Sequence, residues 1–177
     1  MAWAAFTFQE VAHGDWRFQL GGRYENQDTT AEESEITGDI RDRSFAGVSG
    51  SVGAVWQPGP WSLGLSLARS TKLPNAEELF SNGPHIATGA FEVGDPNLDE
   101  ETSLGADLTL RRTAGRFTGE LTLFANRFDD YIFEQATGEE EDELTVFQFV
   151  QRDAEFRGRS LHWKTAPSSS GAGWCNG

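Results

Sequence analysis

Basic charge is scarce in this chain: 14 Lys and Arg stand against 28 Asp and Glu, for a net charge of −14. Nucleic-acid binding draws most of its affinity from a basic face, so nucleic acid is excluded as a partner. Docking on an anionic membrane surface is excluded for the same reason. Cysteine is nearly absent, and the single Cys175 forms neither an internal disulfide nor a cysteine-based metal cage. No apolar run approaches the roughly 18–20 residues that a spanning helix needs. The opening Met1-Ala2-Trp3-Ala4-Ala5 is short and lacks the basic end of a secretory signal. Catalytic signatures are missing too: there is no nucleophile elbow, phosphate loop, dinucleotide fingerprint or zinc-protease helix. Asp129 and Asp130 are adjacent, but neighbours on a strand point to opposite faces and do not act as one acid–base pair. The chain reads as a non-enzyme.

What is present suits strands and tight turns. Hydrophobic residues are 37% of the chain, low for a packed core of this length, while aromatics reach 12% and there are 20 glycines. Strict alternation is the main signal. Trp16, Phe18, Leu20, Gly22 and Tyr24 fall on one face, opposite Arg17, Gln19, Gly21 and Arg23. Trp61, Leu63, Leu65 and Leu67 oppose Ser62, Gly64, Ser66 and Ala68. Leu104, Ala106, Leu108 and Leu110 oppose Gly105, Asp107, Thr109 and Arg111, and Phe117, Gly119, Leu121 and Leu123 oppose Thr118, Glu120 and Thr122. About seven strands follow, over 4–12, 15–27, 43–57, 60–71, 101–113, 116–136 and 144–159, with a bulge expected after Leu123. Several are long enough to cross a hydrocarbon layer at a tilt, which takes about 9–11 residues.

The connections alternate in length. Ala12-His13-Gly14, Pro58-Gly59 and Ala114-Gly115 are tight, whereas 28–42, 72–100 and 136–143 are long and mostly acidic. Up-and-down strands place every second connection at the same end, so one rim carries short turns and the other long polar loops, as in outer-membrane barrels. Trp16, Trp56, Trp61 and Phe117 all sit at the short-turn rim, where an aromatic girdle belongs. Tyr24, Phe45 and Phe147 are expected toward the opposite girdle. The fold class is all-β: an antiparallel up-and-down transmembrane β-barrel segment. An odd strand count does not close such a barrel, so the segment belongs to a larger one. The rival reading is a soluble lipocalin-like barrel with its apolar face turned inward around a small apolar ligand.

Residues 67–102 carry motifs in a recurring order: Ala68-Arg69-Ser70, Pro74, Glu78-Leu79-Phe80, Gly83-Pro84-His85, Phe91-Glu92-Val93-Gly94-Asp95-Pro96-Asn97-Leu98 and Glu101-Thr102-Ser103. This stretch resembles the signature of TonB-dependent outer-membrane receptors. So do Leu123-Phe124-Ala125-Asn126-Arg127-Phe128-Asp129-Asp130-Tyr131-Ile132 and Phe149-Val150-Gln151-Arg152-Asp153-Ala154-Glu155-Phe156-Arg157-Gly158. The resemblance implies part of a plugged barrel of about 22 strands. It implies a location in the Gram-negative outer membrane, as part of a longer precursor. It also implies import of a scarce nutrient, a metal ion or a metal chelate such as a siderophore, with outer-membrane lipid as a partner. The TonB complex is then a partner through a plug domain that this chain lacks. The Gly83-Pro84-His85 variant resembles zinc or other metal-uptake members, so transported zinc or an iron chelate is expected rather than a resident cofactor. The likeness covers roughly 3–159, so 1–159 is read as part of the receptor barrel. From Ser160 the sequence neither alternates nor resembles the family, so 160–177 is read as a disordered or frameshifted tail, and neither Cys175 nor His162 receives a role.

Local chemistry completes the reading. Asn75, with Glu78 three residues on, predicts a helix start of the capping-box kind, and Gly83 a left-handed stop, for a helix of about two turns. His85 is the plausible metal ligand, with Glu92, Asp95 and Asp99 in the same loop; imidazole plus carboxylates suits zinc. The alternative is an ordinary loop histidine bonded to backbone. The acidic runs at 32–35 and 139–143 read as solvated loops, or as a negative field that concentrates cations at the mouth. Arg17, Arg23, Arg69 and Arg111, with Glu25, Asp107 and Glu120, are expected on the polar side, because Arg or Lys facing lipid at mid-depth costs about 2–4 kcal/mol.

Overall fold

The computed structural model describes residues 1–30 and 42–165. Nine strands and one short helix follow in order: β1 (Ala2–His13), β2 (Trp16–Thr30), β3 (Asp42–Trp56), β4 (Trp61–Lys72), α1 (Ala76–Phe80), β5 (Asn82–His85), β6 (Ala90–Val93), β7 (Glu101–Arg112), β8 (Phe117–Glu141) and β9 (Leu144–Thr165). They form one sheet in the order β1-β2-β3-β4-β7-β8-β9-β6-β5. All seven long strands are antiparallel neighbours in chain order, as the alternation predicts. Among the described residues the sheet does not close on itself. A soluble barrel closed around an apolar ligand is therefore not favoured.

The alternation becomes a wall with two unlike faces. Leu65 stands opposite Ala54 on one side and Leu108 on the other, and Leu108 opposes Leu123. Leu20, Leu65 and Leu108 remain 59%, 50% and 41% exposed. Arg17, Gln19, Ser62, Ser66, Asp107, Thr109 and Arg111 share the opposite, concave face. There Arg111 pairs with Glu120. Backbone groups within the wall are spent on the ladder, which is what a structure in lipid requires.

The short-turn rim follows from its residues. Gly14 and Gly59 sit in the tight turns with positive φ, a conformation that costs glycine nothing sterically. Trp16 lies opposite Trp56 with ring centroids 6.1 Å apart, and the Arg112 guanidinium lies over Trp61 at 5.2 Å. At the other rim Tyr24 meets Trp3 at 5.2 Å. Phe45 departs from expectation. It shares parity with Gly53 and Val55 on the concave side, and is buried with Leu79, Leu98, Ile132 and Phe149. Arg69 departs in the other direction. It opposes Leu104, on the Leu63–Leu65–Leu67 side, because period two leaves it no other face. Its guanidinium donates to the Val48 carbonyl and to Thr71 Oγ1.

The third long connection is not a loop. β8 and β9 continue past the end of β7 and close through Asp142 and Glu143, both at positive φ, a two-residue turn of the I′ kind. The acidic run 139–141 is therefore strand, with Glu140 opposite Thr145 and Glu141 opposite Leu144. The bulge expected in this strand lies between Phe128 and Tyr131, with Asp130 at φ 58°. A second irregularity falls between Ala136 and Glu140. At its far end β9 runs through Thr165, past the boundary at 159. The backbone from Phe117 to Thr122 takes its partners from 160–165, and this ladder carries the strand onward. Residues 31–41, with the acidic run at 32–35, and 166–177, with Cys175, lie outside the described residues.

Candidate functional site

Between β4 and β7 the chain builds a compact cap over the long-loop rim. Its helix starts where Asn75 Oδ1 accepts the Glu78 N–H at 2.8 Å and Glu78 Oε2 accepts the Asn75 N–H at 2.9 Å, the capping box that the sequence predicts. Lys72 pairs with the same Glu78, so this buried carboxylate is satisfied from two sides. The helix lasts one turn. Ser81 takes an extended conformation and its N–H bonds the Glu77 carbonyl, so Gly83 is not the stop and lies inside β5 instead. Gly94 passes directly over the helix end. A Cβ there would stand 2.6 Å from Leu79 C and Phe80 N, so only glycine permits the approach.

The hairpin β5–β6 is the part the sequence did not disclose. Asn82 to His85 pair with Val93 to Ala90, and the turn closes through Gly89 N–H to the His85 carbonyl at 2.9 Å. β6 then lies parallel to β9, with Glu92 beside Phe147. The cap core is Phe45, Leu79, Leu98, Ile132 and Phe149, drawn from β3, α1, the loop before β7, β8 and β9.

This folding brings a histidine and carboxylates together. His85 Nδ1 lies 2.7 Å from Glu92 Oε1, which also accepts the Thr88 hydroxyl at 2.9 Å. The Glu92 side chain is 3% exposed and that of His85 is 44% exposed. An ionised carboxylate only accepts, so the proton of neutral His85 sits on Nδ1 and the Nε2 lone pair is left free. Nε2 faces Glu77 Oε1 at 4.0 Å. Potential ligand atoms of Glu77, His85 and Glu92 all lie within 4.8 Å of one another. The hydrogen bond to Glu92, and then its charge, raise the His85 pKa above the ordinary value, with Glu77 and Glu134 adding to the effect. Glu134, on the part of β8 beyond the wall, is also raised. Partial loss of water comes first, then repulsion from Glu92 and Glu77.

Of the four residues proposed from sequence, His85 and Glu92 meet here. Asp95 and Asp99 point elsewhere. Asp95 Oδ1 accepts from the Asn97 backbone at 2.9 Å and side chain at 3.0 Å, while Asp99 faces Arg43 at 3.6 Å. Glu77 was missed. Its one sequence signal was the capping box, which places it in the first helical turn, but only the hairpin folds His85 back to it.

Residues 2–163 match the family described as TonB dependent receptor-like, beta-barrel. Solved structures share the architecture at low identity. The copper transporter OprC aligns with a TM-score of 0.80 and 18% identity, over 95% of this chain and 26% of its own. The Serratia marcescens hemophore receptor HasR, in complex with its hemophore HasA and heme, gives 0.66 and 16%, over 93% of this chain and 32% of its own. The Neisseria meningitidis FrpB iron transporter gives 0.63 and 15%, over 92% and 23%. The chain spans less than a third of each of these proteins. With the family match running almost from end to end, this chain belongs to the TonB-dependent receptor β-barrel family.

Proposed function

We propose that this chain supplies part of the wall and outer rim of a Gram-negative outer-membrane receptor that imports a scarce nutrient, a metal ion or a metal chelate such as a siderophore. The match of residues 2–163 to the receptor-barrel family carries this reading. The half-exposed leucines of the wall suit acyl chains on one side, and the polar concave face suits a lumen on the other. Solved proteins of this fold include a copper transporter, an iron transporter and a heme-loaded hemophore receptor. Transport requires the rest of the barrel, a plug domain, and the TonB complex acting on that plug. The chemistry of this segment is recognition rather than catalysis.

The cap faces the side from which cargo arrives. His85 and Glu92, with Glu77, are the residues we assign to a metal-bearing cargo, whereas Asp95 and Asp99 hold the loop in shape. The carboxylates along 139–143 add a negative field that favours cations near this rim. Cells carrying the intact receptor should accumulate a labelled metal or chelate only while TonB is present. Uptake that is unchanged on deletion of TonB would sink the importer reading.

A further inference from the structure

We propose that Arg69, Arg127, Arg157 and Arg159 hold the phosphates of a multiply acylated outer-leaflet lipid against the outward face of the wall. This rests on the reading of that face as lipid-facing, and names the class of lipid it selects.

The four arginines share the side of the sheet that carries the wall leucines, opposite the concave face. Arg69 stands opposite Leu104, Leu104 opposite Arg127, and Arg127 opposite Glu155. One row nearer the short-turn rim, Leu67, Ala106, Ala125 and Arg157 are partners in turn. Below them come Leu65, Leu108, Leu123 and Arg159. Neighbouring strands are about 4.8 Å apart, so Arg69 and Arg127 stand about 10 Å apart across Leu104. Beside them the small side chains of Ala106 and Ala125 leave a shallow floor.

Their depth is that of a headgroup. Counted along β4 from Trp61, at about 3.3 Å per residue and a tilt of about 40°, Arg69 stands about 20 Å above the short-turn rim. Arg127, counted from Phe117, stands at about 25 Å, and Arg157, counted from Thr165 opposite Phe117, at about 20 Å. An outward apolar band is about 25 Å tall, so these three reach the level where acyl chains give way to headgroups. Arg159 starts deeper, and its long stem carries the charge up toward the same level.

The local charge complements phosphate. Arg127 pairs with Asp129 at 3.2 Å and Arg157 with Glu155, and these side chains are all more than half exposed. Exposed pairs of this kind are weak and exchange readily. Arg69 donates through Nη1 to the Val48 carbonyl and Thr71 Oγ1. Among the described residues neither Arg69 nor Arg159 has an acidic partner. Asp153, the next acidic residue along β9, lies beyond the group and accepts the Asp130 N–H at the bulge. Four guanidinium groups against two paired carboxylates leave a positive excess here, in a chain whose net charge is −14. At the short-turn rim an outward arginine is used differently, since Arg112 lies over Trp61 at 5.2 Å. Guanidinium forks match phosphate oxygens two at a time, and Leu65, Leu67 and Leu108 below them suit acyl chains. One amphiphile satisfies both halves of the surface.

Native mass spectrometry of the intact receptor in a mild non-ionic detergent tests this, with diphosphorylated lipid A as the probe. One equivalent should bind, and the same lipid stripped of its phosphates should bind at least about tenfold more weakly, as loss of charge-assisted hydrogen bonds implies. Arg127→Gln with Arg157→Gln should weaken the phosphorylated lipid by a similar factor, and Arg69→Gln and Arg159→Gln each by less. Arg127→Lys with Arg157→Lys should recover part of the affinity, and serves if the glutamine pair fails to fold. Arg112→Gln, on the same face at the opposite rim, should bind as the parent does. Equal binding of the stripped lipid would overturn the proposal, as would an equal loss in Arg112→Gln. A receptor dimer that dissociates in the Arg157→Gln variant, with no lipid bound, would give the face to a second copy instead. Lipid binding in this pattern without TonB-dependent uptake would remove the importer reading and leave the lipid site standing. TonB-dependent uptake with no preference for phosphorylated lipid would do the reverse.

Discussion

In the wall, Leu65 opposes Leu108 and both are roughly half exposed; in the cap, Leu79 and Leu98 are 1% and 2% exposed and belong to a core drawn from five segments. The same residue type is used in two opposite ways within one sheet. Wall leucines alternate strictly and stay about half exposed, with no packed layer over them among the described residues. Cap leucines follow no period and are enclosed by one another and by Phe45, Ile132 and Phe149. The wall is therefore held by its ladder, and the cap by a small core of ordinary kind.

That contrast predicts which changes hurt where. Leu79→Ala should cost the cap about 2–5 kcal/mol, as large-to-small changes at enclosed sites do, and amide exchange should quicken across 76–98 while β2–β3 stays protected. Leu65→Arg should reverse the pattern, costing about 2–4 kcal/mol of folding into lipid vesicles, whereas Ser66→Arg on the concave face should be nearly neutral. If the two arginines behave alike, the faces have been assigned wrongly. Asn75→Ala should cost about 1 kcal/mol, by removing one half of the capping box, and should loosen α1 alone. The smallest effect is one of pH. His85 has a raised pKa, so the stability it gives the hairpin is complete below its unfolded value. That stability fades as pH rises through the raised one. Exchange at the Gly89 amide should therefore quicken with pH beyond the intrinsic dependence, and His85→Gln should abolish the excess.

Much of the wall was legible because period-two alternation is a local property. Each of Trp16 to Tyr24 and Trp61 to Leu67 declares its face without knowing its neighbours. Tight turns were legible from Gly14 and Pro58-Gly59, and the capping box from residues three apart. What went unread depended on contacts between distant segments. Glu140 and Glu141 read as loop because charge suggests solvation, yet a two-residue turn beside them keeps them in a ladder. Gly83 read as a helix stop because nothing local reveals that Val93 pairs with Asn82. Phe45 read as girdle because its aromatic ring outweighed its parity.

The sequence by itself determined that this chain is a two-faced antiparallel wall with one smooth rim and one elaborate rim, since side-chain alternation and turn chemistry act over a few residues. The tertiary structure alone decided that Glu77 reaches His85, that Glu92 is buried behind it, and that Asp95 and Asp99 turn away. Those placements come from a hairpin folded onto a helix end and braced by a parallel strand, and such contacts are fixed by packing across the cap rather than by any spacing along the chain.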